Sequence, residues 1–186
     1  MSNDYFNYLN NRSKFGFFYR KHILYPKIYR CLTGKILDIG CGVGDFLKLY
    51  NDVIGVDINK DCVNYCKQNG LNAELMPVNI IPFNDKTFNS IVLDNVLEHI
   101  ENPSILILEI KRILIPNGLL VIGVPCEKGY KYDNDHKVFY NLHDLENLFS
   151  NLFTLEKHFY TPPFSFLFRK HFRQVALYVV LKLKND

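Results

Sequence analysis

The sequence predicts a doubly wound α/β fold, in which a mostly parallel sheet carries helices on both faces. Short apolar runs alternate with segments of helical periodicity, which is typical of consecutive βαβ units. A glycine-rich stretch, residues 40–44, follows the first run, where such a fold needs a sharp turn from strand to helix. With 48% hydrophobic residues among 186, the chain can bury one sizeable core, so we predict a single domain over residues 1–186.

Five apolar runs of strand length predict the parallel part of the sheet. They cover residues 35–39, 52–57, 72–76, 88–93 and 118–124. Four stretches with apolar residues at three- and four-residue spacing predict helices, over residues 45–50, 60–68, 103–114 and 142–149.

The two ends of the chain differ from this alternating middle. Residues 1–31 are rich in aromatic and basic side chains without strand alternation, and we expect a helical N-terminal cap there. Residues 151–186 contain two β-rich runs, 153–160 and 174–184, which predict an antiparallel strand pair at the edge of the sheet. Residues 32–150 then form the ligand-binding core, in a sheet of about seven strands.

The net charge of +3 conceals basic ends and an acidic middle. Residues 1–31 carry six Lys and Arg against one acid, and residues 157–186 also carry six against one. An anionic acceptor or surface would explain the basic ends, and so would solvated helix faces with lysines guarding a strand edge. The sequence has neither an apolar run of about 18 residues nor a signal peptide at its start, so we expect a cytoplasmic protein.

The five cysteines are scattered, with no CxxC pair and no histidine at zinc-finger spacing, and Cys62 and Cys66, one helical turn apart, are more often packing residues than half of a metal site. We therefore expect reduced thiols rather than a disulfide framework or a structural metal site.

The glycine-rich stretch predicts a ligand-binding turn. Gly40, Gly42 and Gly44 let the backbone approach a flat or extended ligand closely, because glycine has no Cβ. The G-x-G-x-G spacing is one residue shorter than the G-x-G-x-x-G of dinucleotide-binding turns, and Asp38 precedes the first glycine by two residues. A carboxylate at this place disfavours a pyrophosphate and favours a ligand that carries positive charge.

The second apolar run ends in Asp57, 13 positions after Gly44. An acid at the end of the second strand can accept hydrogen bonds from both ribose hydroxyls of an adenosine ligand. Taken alone, Asp57 could equally cap the helix that begins near Asn59. Together with the glycine turn, it favours ribose binding.

Five segments follow one another in an order that characterises a known family. They are Leu37-Asp-Ile-Gly-Cys-Gly-Val-Gly44, Val53-Ile-Gly-Val-Asp57, Ile81-Pro-Phe-Asn-Asp-Lys-Thr-Phe88, Asn95-Val-Leu-Glu-His99 and Leu114-Ile-Pro-Asn-Gly-Leu-Leu-Val121. The chain thereby resembles the class I S-adenosylmethionine-dependent methyltransferases over roughly residues 33–150. The resemblance implies a Rossmann-like fold and S-adenosyl-L-methionine as the cofactor.

The resemblance also implies which positions bind the cofactor. The acid before the glycine turn and the turn itself would hold the methionine end, and the acid after the second strand would hold the ribose. The end of the fourth strand would face the methyl group. Pro77 stands where the family often has an acid that contacts adenine, so other residues of that loop would have to make this contact. The implied contacts are Asp38, Gly40, Cys41, Gly42, Gly44, Asp57, Ile58, Val78, Asn79, Leu93, Asp94 and Asn95.

Candidate catalytic residues follow the fourth and fifth strands. Methyl transfer from a sulfonium needs an aligned nucleophile and, for a hydroxyl or charged amine, removal of a proton. His136, in a polar loop after the fifth strand, is our first candidate for the base or orienting residue, with His99 and Tyr140 as further candidates. His136 could instead fix only its own loop, and His99 could be structural. The string Val96-Leu-Glu-His99 also resembles metal-assisted O-methyltransferases of the family, which leaves metal dependence as an alternative. Asn95 stands where a further carboxylate ligand would help an oxygen-preferring cation, so we assign no metal ligand.

The resemblance implies a methyltransferase that acts on a small-molecule or glycan-linked acceptor, at oxygen, while the family also includes enzymes that methylate nitrogen and carbon. The basic ends and the segment 164–173, which interleaves aromatic and basic residues, leave an RNA- or lipid-directed methyltransferase as an alternative. The glycine turn and the acid after it would also suit a non-catalytic nucleotide-binding protein of the same fold, or an NAD-linked oxidoreductase. Nothing else in the sequence indicates a nucleic acid or a membrane surface.

Overall fold

The computed structural model describes residues 14–162 and 175–185 of the chain. These residues contain the strands β1 (Ile36–Ile39), β2 (Val53–Asp57), β3 (Ala73–Leu75), β4 (Phe88–Asp94), β5 (Leu114–Pro125), β6 (Phe153–Thr161) and β7 (Ala176–Leu183). The strands form one seven-stranded sheet in the order β3-β2-β1-β4-β5-β7-β6.

The sheet confirms the predicted fold class. The first five strands are parallel, and β7 lies antiparallel between β5 and β6. The antiparallel strand is therefore second from the edge, and β6 is the edge strand. Residues 163–174, which include the predicted aromatic and basic segment 164–173, lie outside the described residues.

Helices connect the strands at nearly all of the predicted places. They are α1 (Lys14–Tyr19), a π-helical turn (Arg20–Leu24), α2 (Tyr25–Tyr29), α3 (Lys60–Gln68), a 3-10 turn (Leu97–His99), α4 (Ser104–Ile113), α5 (Glu127–Tyr130) and α6 (Leu142–Phe149). The described part of the predicted N-terminal cap is thus helical, and residues 1–13 lie outside the described residues. None of the helices in the described part of the chain is long and apolar enough to cross a membrane.

The prediction of a helix over residues 45–50 is wrong, because this stretch forms successive turns. Its backbone hydrogen bonds differ in the number of residues that they span. Lys48 N donates to Gly44 O, four residues back, at 2.9 Å, and Leu49 N donates to Phe46 O, three residues back, at 3.1 Å. A helix needs a longer run of uniform bonds, and here glycine precedes a segment that must soon enter β2. The apolar spacing that suggested a helix instead buries Phe46 and Leu47 in the core.

The alternation of strand side chains divides the core between the two faces of the sheet. Leu37 and Ile39 of β1 pack on the face covered by α4 and α6, whereas Ile36 packs on the face covered by α2 and α3. All five cysteines are buried free thiols. The helices on both faces leave the ends of the parallel strands as the place for a ligand.

The carboxyl ends of β1, β2, β4 and β5 meet at the same edge of the sheet. The strand order reverses between β1 and β4, because β2 continues the sheet on one side and β5 on the other. In open α/β sheets, this reversal creates a crevice in which ligands bind.

Candidate functional site

The glycine turn, which follows β1, has a backbone conformation that favours glycine. Gly40, Gly42 and Gly44 have φ of 77°, 54° and 71°. Gly40 N and Cys41 N donate to Val56 O at 2.8 and 3.1 Å, which ties the turn to β2. The turn is therefore held firmly beside the crevice.

Asp57 joins the end of β2 to this turn. Its Oδ2 accepts from Gly42 N and its Oδ1 accepts from Asn59 N, both at 2.8 Å. Burial raises the pKa of Asp57, and these two backbone hydrogen bonds oppose that effect. Asp57 is not the N-cap of the helix α3 that follows it. Asn59 is the N-cap, and its Oδ1 accepts a hydrogen bond from Asp61 N at 2.9 Å.

A cavity opens between the glycine turn and the end of β4. Among the predicted residues, its lining includes Asp38, Gly40, Cys41, Gly42, Asp94 and Asn95. Burial, with the nearby charges of Asp94 and Asp57, raises the pKa of Asp38 well above its ordinary value. The inner wall of the cavity is thus rich in carboxylates that a positively charged ligand would stabilise.

The opposite wall comes from the N-terminal cap and brings a cation into the cavity. Arg20, Tyr25 and Ile28 line it together with the carboxylates. Arg20 Nη1 lies 3.4 Å from the Tyr25 hydroxyl oxygen, which it contacts as a donor. Neither Arg20 nor Tyr25 was predicted as a site residue. The only signal in the sequence was the basic and aromatic composition of the first 31 residues.

Asp94 is positioned by a strand from the far end of the chain. The Tyr178 hydroxyl of β7 donates to Asp94 Oδ1 at 2.6 Å, and Asn95 Nδ2 donates to the same oxygen at 2.9 Å. Tyr178 is buried, with 1% of its surface exposed. The antiparallel strand therefore fixes one of the carboxylates that line the cavity.

Exposed apolar side chains lie at the end of β2, where the resemblance implies adenine. Ile58 is 60% exposed and Val78 is 70% exposed. Met76 N donates to Asp57 O at 2.9 Å, which brings the loop of Val78 and Asn79 next to this strand end. A flat apolar ligand would bury this surface, so the assignments of Ile58, Val78 and Asn79 stay predictions.

The side chain of Leu93 points away from the cavity, so a contact of Leu93 with the cofactor would have to come from its backbone, and this contact stays a prediction. Leu93 is fully buried in the core on the α4 and α6 side of the sheet, whereas Val92 and Asp94 line the cavity. Successive side chains of a strand point to opposite faces, so Leu93 cannot share the cavity with both neighbours. Gly44 is not among the residues that line the cavity, and its predicted contact with the cofactor stays a prediction.

Glu98, His99 and His136 form a second cluster close to the cavity. The 3-10 turn that contains Glu98 and His99 begins two residues after Asn95. His136 Nε2 lies 3.8 Å from Glu98 Oε1, and the rings of His99 and His136 have centroids 4.8 Å apart. Burial raises the pKa of Glu98 to about 8, and burial lowers the pKa of His99 below its ordinary value.

The backbone of Glu98 fixes the loop after β5. Its carbonyl oxygen accepts from Lys137 N at 2.7 Å and from Val138 N at 3.1 Å. Tyr140 is buried, and burial together with the charge of Glu98 raises its pKa. The structure thus brings the three predicted catalytic residues, His99, His136 and Tyr140, together around Glu98, although none of them lines the cavity itself.

The chain is similar in sequence to a known family of domains and to several named proteins. Residues 37–122 match the family model described as a methyltransferase domain. The chain is 27% identical over 118 residues to a protein of Mycobacterium tuberculosis named as a probable S-adenosylmethionine-dependent methyltransferase, covering 59% of the chain and 43% of the relative. Residues 37–122 therefore form a methyltransferase domain, and the relatives of the chain include proteins named as S-adenosylmethionine-dependent methyltransferases.

Further relatives of the chain support the fold and show the extent of the match. A human protein named as a probable tRNA methyltransferase 9B is 34% identical over 94 residues, covering 48% of the chain and 21% of that protein. The solved structure of an S-adenosylmethionine-dependent methyltransferase from Aquifex aeolicus aligns with a TM-score of 0.69 at 18% identity, over 96% of each chain. The chain spans less than half of the length of the curated relatives that it matches.

The cavity fits S-adenosyl-L-methionine, the cofactor that the methyltransferase domain implies. The methionine end of this cofactor carries an ammonium, a sulfonium and a carboxylate. Asp38 and Asp94 would supply negative charge for the first two, and Arg20 would supply a guanidinium for the third. A pyrophosphate, as in NAD, would be repelled by the same two carboxylates.

Arg20→Ala is expected to weaken binding of S-adenosylhomocysteine about 10- to 100-fold, because a charged hydrogen bond to the carboxylate is lost. Binding of methylthioadenosine, which lacks the amino-acid group, should not change. Isothermal titration calorimetry measures both affinities. The matched control is Lys21→Ala, since Lys21 is the exposed neighbour. An equal loss for both ligands would show that Arg20 does not bind the carboxylate.

Asp38 is expected to make the stability of the free protein depend on pH. Because the pKa of Asp38 is raised on folding, its stabilising contribution is complete below the unfolded pKa of about 3.9 and is lost as the pH rises through the folded value. Thermal unfolding between about pH 4 and 8 should show a shallower decline for Asp38→Asn than for the parent. Identical slopes would contradict this expectation.

Proposed function

We propose that the chain is an S-adenosylmethionine-dependent methyltransferase that methylates an oxygen atom of a small-molecule or glycan-linked acceptor. The observation that carries this proposal is the cavity, where carboxylates and one guanidinium stand beside the glycine turn. The charge of Asp94 also contributes to the raised pKa of Glu98, so the second cluster lies within electrostatic reach of the cavity. An acceptor between the two would meet both the methyl donor and the histidines.

The residues of the chain would perform three tasks in this reaction. S-adenosyl-L-methionine supplies an electrophilic methyl group on its sulfonium. The cavity residues hold the donor, and the loop after β5 holds the acceptor hydroxyl in line with it. His136 donates from Nδ1 to Tyr130 O at 2.8 Å, which leaves Nε2 to orient the hydroxyl or to receive its proton.

His136→Ala is expected to lower turnover about 100- to 10,000-fold, because a positioned base or orienting group is removed. Its affinity for S-adenosylhomocysteine should stay within about threefold of the parent, since His136 does not line the cavity. Turnover is measured as formation of S-adenosylhomocysteine with pools of hydroxyl-bearing metabolites and saccharides. The control variant is His143→Ala, which removes an exposed histidine of α6.

Three results would contradict the proposal. If calorimetry showed no affinity for S-adenosylmethionine or S-adenosylhomocysteine, the chain would not be a methyltransferase. Binding without turnover across all pools would instead favour a nucleotide-binding protein of the same fold. Displacement of the ligand by NADH would favour an oxidoreductase.

An RNA acceptor is the second candidate, and the human relative named for tRNA methylation favours it. The basic residues at both ends of the chain would contribute phosphate contacts. Retention of tRNA on a filter should then weaken steeply as the salt concentration rises. If tRNA is not retained even at low salt, the acceptor is not RNA.

A further inference from the structure

The second cluster has the composition of a metal site that uses nitrogen and oxygen ligands. One ligand atom each from Glu98, His99 and His136 can be chosen so that all three lie within 4.8 Å of one another. The cluster combines two imidazoles with one carboxylate. This set suits divalent transition metals, whereas Mg²⁺ and Ca²⁺ prefer oxygen ligands throughout.

The histidines are oriented as metal-binding histidines usually are. His136 Nδ1 lies 2.8 Å from Tyr130 O, and His99 Nδ1 lies 3.2 Å from Asp135 O. Because a carbonyl oxygen only accepts hydrogen bonds, each Nδ1 carries the proton and each Nε2 presents a lone pair. Metal-bound histidines characteristically donate their other ring nitrogen to such a carbonyl, which fixes the ring and its tautomer.

Glu98 provides an independent sign that a cation belongs there. Only 1% of its surface is exposed, and neither carboxylate oxygen has a hydrogen-bond partner within residues 14–162 and 175–185. Buried carboxylates are normally hydrogen-bonded, paired or coordinated to a metal. The side chains of His99 and His136 lie beside it, and His136 Nε2 is too distant for a strong hydrogen bond at 3.8 Å.

We propose that Glu98, His99 and His136 bind a divalent transition metal ion of the Zn²⁺ class through one carboxylate and two Nε2 atoms. Ligand atoms around such an ion are about 3–3.5 Å apart, so side-chain movements of about 1 Å would complete the site. Three protein ligands leave a coordination position open. An acceptor hydroxyl bound there would lose its proton more readily, and His136 would then orient the acceptor through the ion.

The site can be tested without methyl transfer, by calorimetric titration of the full chain with Zn²⁺ and Co²⁺. We expect one ion per chain, a change in the visible absorption of Co²⁺, and much weaker binding of Mg²⁺. Glu98→Gln and His99→Ala should each weaken Zn²⁺ binding at least about 100-fold, because each removes a ligand. His99 is only partly buried, so its replacement should not prevent folding.

Matched controls separate this site from adventitious binding to other histidines and acids. His143→Ala and Glu101→Gln change exposed residues of the same types and should leave Zn²⁺ affinity unchanged. If the parent binds neither Zn²⁺ nor Co²⁺, or if Glu98→Gln and His99→Ala bind as the parent does, the proposal is wrong. Binding of S-adenosylhomocysteine, measured on the same samples, tests the proposed function separately.

Discussion

Asp57→Ala is expected to weaken binding of S-adenosylhomocysteine by at least about 100-fold, because it removes the two oxygens that would accept the ribose hydroxyl protons. Each oxygen already accepts one backbone amide, at 2.8 Å, and retains a lone pair for a ligand. The substitution also releases Gly42 N from β2, which loosens the turn around the cavity. Isothermal titration calorimetry gives the affinities.

Methylthioadenosine distinguishes this effect from that of Arg20→Ala. It keeps the ribose and lacks the amino-acid group, so Asp57→Ala should weaken its binding as well. The matched control is Asp52→Ala, which removes an exposed acid just before the opposite end of β2. Asp52 accepts a hydrogen bond from the Tyr29 hydroxyl at 2.8 Å, far from the crevice. An Asp57→Ala affinity within about threefold of the parent would refute ribose binding by Asp57.

Gly44→Ala is expected to lower the free energy of unfolding by about 2–4 kcal/mol and the midpoint of thermal unfolding by roughly 4–16 °C. Gly44 has a φ of +71°, and a Cβ there would lie 2.6 Å from Leu71 Cδ1 and 2.9 Å from Cys66 Sγ. The positive φ would strain the backbone of an alanine, and the short contacts would force the side chains of Leu71 and Cys66 to move. Affinity for S-adenosylhomocysteine should fall with stability, because the turn shapes the cavity.

Gly70→Ala separates the two causes. Gly70 also has a φ of +71°, but a Cβ there would meet nothing within 4 Å. It should cost about 1–2 kcal/mol, from the backbone strain alone, and leave cofactor binding unchanged. Equal losses of stability in both variants would show that packing against Leu71 and Cys66 adds nothing. Both are measured by thermal or denaturant unfolding.

The tertiary structure gives the N-terminal cap a function that its sequence did not reveal. Composition indicated helices, and the structure places Arg20 of the π-helical turn opposite Asp38 and Asp94 in the cavity. Arg20 and Asp94 are 74 positions apart in the sequence, with two helices and three strands between them. No local pattern could connect them, because their proximity depends on how the cap packs against the sheet.

The sequence by itself determined the doubly wound sheet, the turn at Gly40 to Gly44 and the acid at Asp57. Each depends on neighbours along the chain, since strand alternation and glycine conformations are local properties. The resemblance assigned three consecutive residues, Leu93 to Asn95, to the cofactor, and only the structure showed that the Leu93 side chain faces the opposite side of the sheet from Asp94. The helix prediction for residues 45–50 was wrong because a short stretch with apolar residues at helical spacing is also compatible with a compact series of turns.

Only the tertiary structure decided how the catalytic candidates relate to one another. The loop that carries His136 closes on the 3-10 turn of Glu98 through backbone hydrogen bonds, and Tyr178 reaches Asp94 from the last strand. It also showed that the carboxylate of Glu98 is buried and unpartnered within the described residues. The burial of a side chain and its distance from charges on remote segments both depend on tertiary packing. They shift the pKa values of the site residues, and a sequence motif does not contain this information.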